Sequence, residues 1–281
     1  MKKIIPFLVI LAFMALACTI SVDLTPEPEQ PVDEPTTAPG VDPATEAPMV
    51  PTLIPANLIC NEASLHLAPG LGTTFTCETI PEATGPDLPY FAINPQYTRI
   101  TIHGYPLSDK FSDAVIEVYP YQRLHELIPA ADDDYNYLRR LLNGEDLPGE
   151  TALPFLPYLG AAQVFHAQYS VVTFHNGSGI RYLTEFAQYT AAVNNHDMFY
   201  TFQGVTSDGQ YWITAILPVN HAILPADSNN PPNGMSWEDF SNNYEPYIND
   251  MVTQLDAQSW DSYQPALGML DDLIASLTIQ P

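Results

Sequence analysis

The sequence predicts an α+β fold: an antiparallel β-sheet of meander hairpins covered by helices, preceded by a signal peptide and a disordered Pro-rich linker. Three observations carry this. Two pairs of β-rich runs are joined by short turn sequences, His175-Asn176-Gly177-Ser178-Gly179 and Ser207-Asp208-Gly209. From Ser236 onward, apolar side chains recur at helical spacing. Residues 19–56 hold nine prolines and no lysine or arginine, a composition that supports neither helix nor sheet.

The elements follow in order. Residues 73–79 are β-branched and aromatic. Residues 97–103 alternate, with Thr98, Ile100 and Ile102 on one face and Arg99, Thr101 and His103 on the other. Residues 114–119 alternate in the same way, Val115 lying opposite Ile116 and Val118. A short helical turn over 121–127 ends near Pro129. A helix over 132–142 follows, with Tyr135, Leu138, Leu141 and Leu142 on one face, Asp132 or Asp133 as its cap and Gly144 at its end. A long strand over 161–174 turns and returns over 180–186. A second hairpin pairs 198–205 with 211–217 and stops at Pro218. These four strands predict a meander. Ser236 and Asp239 form a capping-box-like helix start. Trp237, Phe240, Tyr244, Tyr247, Met251 and Leu255 keep helical spacing, and Pro246 should kink or split that helix. Ser262 is expected to cap a last helix with Leu267, Leu270, Leu273, Ile274 and Leu277 inward, and these helices should cover one sheet face.

The N-terminus has a different logic. Lys2 and Lys3 precede an apolar run over 4–16, interrupted only by Pro6. About 13 residues is the length of a signal-peptide core and too short to span a bilayer. Ala15-Leu16-Ala17-Cys18 then resembles the lipobox of bacterial lipoproteins, with Ala15 where that family most often has leucine. The resemblance implies cleavage before Cys18 and lipidation of its sulfur. It divides the chain into a signal peptide (1–17), a lipidated cysteine with a Pro/Thr/Glu-rich linker (18–56) and an extracytoplasmic domain (57–281). Two or more acyl chains anchor a protein stably, whereas one is marginal. At about 3.1 Å per residue, the 38 residues after Cys18 reach at most roughly 120 Å.

Three cysteines are present, and with Cys18 assigned to lipid, Cys60 and Cys77 remain. A pair in an exported domain reads as a disulfide, and its spacing is unlike C-x-x-C. Charge narrows the partners. Loss of residues 1–17 removes two lysines and no acid, taking the net charge from −25 to −27. Such a surface repels phosphate backbones and anionic headgroups, which excludes nucleic acid and a peripheral lipid contact.

No catalytic constellation emerges. Asp132, Asp134 and Asn136 open like a calcium loop, but Tyr137 stands where the glycine belongs and Asn143 where the bidentate glutamate belongs. His166, His175 and the His196-Asp197 pair would have to converge at one end of the sheet to bind zinc, and no spacing motif supports it. Neither a cofactor nor a metal ligand set is therefore assigned. Gly177-Ser178-Gly179 lies in a hairpin rather than a nucleophile elbow. Paired carboxylates need no local spacing, so Glu185 and Asp208 stay open as hydrolytic residues. The 16 Tyr, 12 Phe and 3 Trp offer ring faces for sugar or peptide, and the loop over 227–234 beside Trp237 is one place for such a surface.

Tyr200-Thr201-Phe202-Gln203-Gly204, the Ser207-Asp208-Gly209-Gln210-Tyr211 turn and the terminal Ser276-Leu277 resemble exported PsbP-like and Mog1-like α+β domains. The resemblance spans about the last 120 residues and implies an antiparallel sheet flanked by helices in a binding or assembly factor. The expectation is a membrane-anchored, extracytoplasmic, non-catalytic binding or envelope-assembly module for a protein, glycan or small molecule. The alternatives are a hydrolase acting on envelope or external polymers and a purely structural surface protein.

Overall fold

The computed structural model describes residues 55–145, 148–149 and 152–280. The signal peptide, Cys18 and the linker up to residue 54 lie outside the described residues. The first half of the described chain runs β1 (Leu58–Cys60), β2 (Ala63–Leu65), β3 (Thr74–Ile80), β4 (Tyr97–His103), β5 (Val115–Pro120), α1 (Tyr121–Leu127) and α2 (Ala131–Leu142). Then come β6 (Ala162–Gln163), β7 (Ala167–Phe174), β8 (Gly177–Thr184), β9 (Phe186–Ala187), β10 (Phe199–Thr206) and β11 (Tyr211–Pro218). The C-terminal part is α3 (Trp237–Asn242), α4 (Tyr244–Asp256), α5 (Leu267–Ala275) and β12 (Thr278–Ile279).

Seven strands form one antiparallel sheet in the order β3-β4-β5-β11-β10-β8-β7. It consists of two meanders joined edge to edge where β5 pairs with β11. The predicted four-strand meander is one of them, and the three N-terminal strands are the other. The alternation in β4 is as expected: Thr98, Ile100 and Ile102 are buried on one face.

The C-terminal helices cover one face of the sheet, as expected, and the other face is covered as well. On the first, α4, α5 and the small sheet β1-β2-β12 bury Leu255, Leu270, Ile274 and Leu277 against Ile100, Ile116, Phe202 and Ile213. On the second, α1, α2 and the segment around Phe155 cover Tyr182, Phe199 and Trp212. All eight residues of β10 are consequently buried. Its one long polar side chain, Gln203, is fully paired. The amide oxygen accepts from Leu156 N and Trp212 Nε1, and the two hydrogens of the nitrogen are shared among Leu156 O, Thr201 Oγ1 and Thr214 Oγ1, all within 3.0 Å. Leaving those groups unpaired in a core would cost about 1–3 kcal/mol each.

Four local expectations are corrected. The strand over 161–174 breaks into β6 and β7, with a register shift between Ala167 and Ser170 and with Gln168 at φ 54°. The β7–β8 turn is only His175-Asn176, because Phe174 pairs with Gly177. Gly177 and Gly179 belong to β8, where a Cβ would overlap the rings of Phe174 and Phe202. These glycines serve close packing rather than turn geometry. Helix α2 starts at Ala131 without a side-chain cap, and Asp132 instead accepts from Tyr121 Oη (2.8 Å). Ser262 does not cap α5, which begins at Leu267. Pro265 intervenes, and a residue before proline is driven out of the α region.

The Ser236 cap is present: its Oγ accepts from Asp239 N (3.1 Å). The helix splits at Asn243, so that Pro246 falls in the first turn of α4, where its missing N–H costs nothing. Cys60 and Cys77 are disulfide-bonded (S–S 2.00 Å), tying β1 to the edge strand β3. Closing a loop of 17 residues contributes about 3 kcal/mol by restricting the unfolded chain. Such a bond persists in an oxidising, extracytoplasmic setting. Among the described residues, no helix is long and apolar enough to cross a membrane.

Candidate functional site

The site forms where β8 ends. Side chains alternate along β8, placing Arg181, Leu183 and, one step past the strand, Glu185 on one face. Glu185 is 1% exposed. Its backbone carbonyl accepts from Val164 N (2.9 Å), which fixes the strand end. One carboxyl oxygen, Oε2, accepts from Asn194 N (3.2 Å), and the other, Oε1, has no hydrogen-bond partner among the described residues. Burial pushes its pKa up to about 8, with Asp197 adding to the rise and the Asn194 N–H opposing it. At neutral pH Glu185 is therefore mostly a neutral acid.

Asn194 organises the surroundings. Its side-chain oxygen accepts from His196 N (2.9 Å) and Asp197 N (3.1 Å), an Asx-type turn. Its side-chain nitrogen donates to Asp197 Oδ2 (2.8 Å). One asparagine thus holds both acids, Glu185 by its backbone and Asp197 by its side chain. The second Asp197 oxygen, Oδ1, contacts His196 Nδ1 (2.6 Å). Lys110 approaches from the loop before β5, donating to Asn195 O (2.6 Å) and Asn220 Oδ1 (2.5 Å). Burial lowers the Lys110 pKa, while Asp109 and Asp197 oppose that shift.

Above these acids lies a cavity of about 460 Å³ with Glu185 and Asp197 in its lining. Its walls are aromatic: Phe91, Phe111, Phe186 and Tyr189. Phe111 N donates to His196 O (3.0 Å), and the Phe111 ring stacks on Phe199 at 6.3 Å and 11°. Phe199 stacks in turn on Phe186 at 6.3 Å and 6°. The Phe91 ring packs over Gly160, where a Cβ would crowd it at 3.1 Å. Phe91, Phe111 and Tyr189 nevertheless keep 45%, 46% and 64% of their surface exposed. Exposed rings around a pocket of this volume with a few convergent polar groups are the usual form of a ligand site.

The residues singled out from the sequence fall elsewhere or pair differently. Asp208 sits in the β10–β11 turn, beyond the Gly177 end of β8, whereas Glu185 lies beyond the Thr184 end. They cannot act together, and the acid that shares the cavity lining with Glu185 and raises its pKa is Asp197. His175 is at that same far end, its Nδ1 on Thr278 Oγ1 (2.7 Å). His166 and His196 precede strands that start at the Glu185 end. No group of three or more His, Cys, Asp or Glu able to hold a metal occurs among the described residues. The loop over 227–234 walls a separate, polar cleft of about 630 Å³ against α4, while Trp237 packs edge-on against Phe240.

No protein-family model, curated protein or solved structure matches this chain.

Proposed function

We propose that the chain is an exported, lipid-anchored binding module that takes a small molecule in the aromatic cavity above Glu185 without transforming it. The observation that carries the reading is the buried Glu185 carboxyl, one oxygen unpartnered, at the floor of a ring-walled cavity. Keeping such a group costs stability, and groups perturbed by burial cluster at functional sites. The Cys60–Cys77 bond supports export, and the lipobox-like Ala15-Leu16-Ala17-Cys18 supports an anchor on that cysteine. An antiparallel sheet with helices on both faces is also the arrangement that the resemblance to PsbP-like and Mog1-like binding domains implies.

The pair Glu185 and Asp197 favours the hydrolase as second reading. Against it, both Asp197 oxygens are engaged and Glu185 is almost fully buried, so neither is free to attack or to activate water.

Two measurements test the proposal. Metabolic labelling of the producing cells with a fatty-acid probe labels the chain, and Cys18→Ala abolishes the label; label that survives the substitution refutes the anchor. Thermal unfolding of the full chain against a panel of small molecules yields a ligand whose saturation raises Tm by roughly 5–10 °C. Phe111→Ala removes that shift. A hit insensitive to Phe111 places binding elsewhere, and turnover of the hit establishes the hydrolase.

A further inference from the structure

Granting that the cavity above Glu185 is the binding site, the geometry points to an organic cation, an alkyl or aryl ammonium, as its ligand class. Three features converge. The exposed rings of Phe91, Phe111 and Tyr189 line the cavity, and aromatic rings attract ammonium groups through their faces, most strongly where water is excluded. The acids of the lining are Asp197 and Glu185, and among the described residues no lysine or arginine lines the cavity, Lys110 lying outside the lining although its charge reaches Asp197. The whole chain is strongly acidic, with a net charge of −25, which concentrates cations and repels anions. An anionic ligand would meet unfavourable charge at every one of these levels.

Recognition here is electrostatic rather than a direct ion pair with Glu185. The rings and Asp197 meet the cation, while Glu185 supplies charge from beneath, through a medium in which charges couple more strongly than in water. Binding therefore has a proton signature. Glu185 is held neutral by burial, and a cation above it favours the ionised form, so binding near neutrality expels a proton. The groups facing Glu185 are Asp197 from the turn before β10, and Tyr244 and Tyr247 from α4. His196 and Lys110 face Asp197.

The test uses the full chain with phenyltrimethylammonium and its neutral isostere tert-butylbenzene. Binding is followed by ligand-observed NMR and calorimetry between pH 6 and 9. The cation is expected to bind roughly tenfold more tightly than the isostere, within the range of cation–ring contacts. Its affinity should rise roughly tenfold from pH 6 to pH 9, the size of a one-unit coupling to the carboxyl. Glu185→Gln flattens that rise, and His196→Gln separates any contribution of the histidine. Calorimetry in buffers of different ionisation heat shows proton release in the wild type and none in Glu185→Gln. If the isostere binds as tightly as the cation, with both lost in Phe111→Ala, the ligand class is wrong and the cavity still stands as the binding site. If a cation binds but its affinity does not change with pH, the role given to Glu185 is overturned. If neither compound binds at any pH, the cation proposal falls, and the panel of Tm shifts decides the fate of the cavity separately.

Discussion

Glu185→Gln should make the protein more stable, by an amount that grows with pH. The carboxyl has an ordinary value of 4.5 and is raised to about 8 in the folded chain. Between those values the folded state binds more protons than the unfolded state, so stability falls as pH rises, by up to about 1.4 kcal/mol per pH unit. Below about pH 4.5 Glu185 is neutral in both states and costs nothing of this kind. Above about pH 8 it is ionised in both, and the full penalty, about 5 kcal/mol in order of magnitude, is present. Glutamine keeps an oxygen for the Asn194 N–H and cannot ionise. The difference in unfolding free energy between variant and wild type should thus be small at pH 4 and reach about 3 kcal/mol at pH 7. It should level off above pH 8. Denaturant melts at those pH values check this, and a pH-independent difference would show that Glu185 ionises in the fold as readily as out of it. A gain in stability combined with loss of the proton-linked binding described above is the signature of a residue kept for function at a cost to the fold.

Most strands of the large sheet were legible because their signals are local, whereas the two- and three-residue β1, β2 and β12 carry too little pattern to read. The alternation of Thr98, Ile100 and Ile102 gives a face, and Pro246 divides a helix wherever it falls. Burial of the sheet on both faces also had a signal, though a quieter one: β10 and β11 contain no charged residue. Strands buried on both faces read this way rather than as alternating patterns. The site was not legible. Glu185 and Asp197 meet only because a loop carries the chain from β9 back to Asn194, and no spacing rule encodes that return. The aromatic walls come from three separate segments, around Phe91, Phe111 and Phe186–Tyr189. The sequence leaves Glu185 and Asp208 open together as carboxylates, since nothing in the linear chain shows that the two lie at opposite ends of the strands. Arg181 misleads most directly. An arginine between Ile180 and Tyr182 reads as the solvent side of a strand, yet it has no exposed surface at all.

Arg181 leads to the second large effect. Its Nη1 donates to Gln168 O, its Nε lies 3.3 Å from Asp271 Oδ1, and the Trp260 ring covers the guanidinium at 4.6 Å. Gln168 is the bulge residue of β7, and its side-chain amide donates to Leu255 O (2.7 Å) and Gln258 O (3.1 Å) at the end of α4. Asp271 on α5 also accepts from Tyr200 Oη (2.9 Å). Burial raises the Asp271 pKa, and Arg181 and Tyr200 oppose that rise. One cation thus joins the edge strand β7, the end of α4 and the face of α5. Arg181→Met should cost about 3–5 kcal/mol, because removing one member of a buried pair strands the other. Asp271→Asn should also be costly, since it leaves the fully buried Arg181 without its counter-charge, although asparagine can still accept from Tyr200 Oη. The Arg181→Met/Asp271→Asn double variant should lose clearly less than the sum of the two, by about 1–3 kcal/mol. Near-additive losses would mean that Arg181 works through the Gln168 carbonyl and the Trp260 ring alone. The fastening of α5 to the sheet would then rest on its leucines rather than on charge.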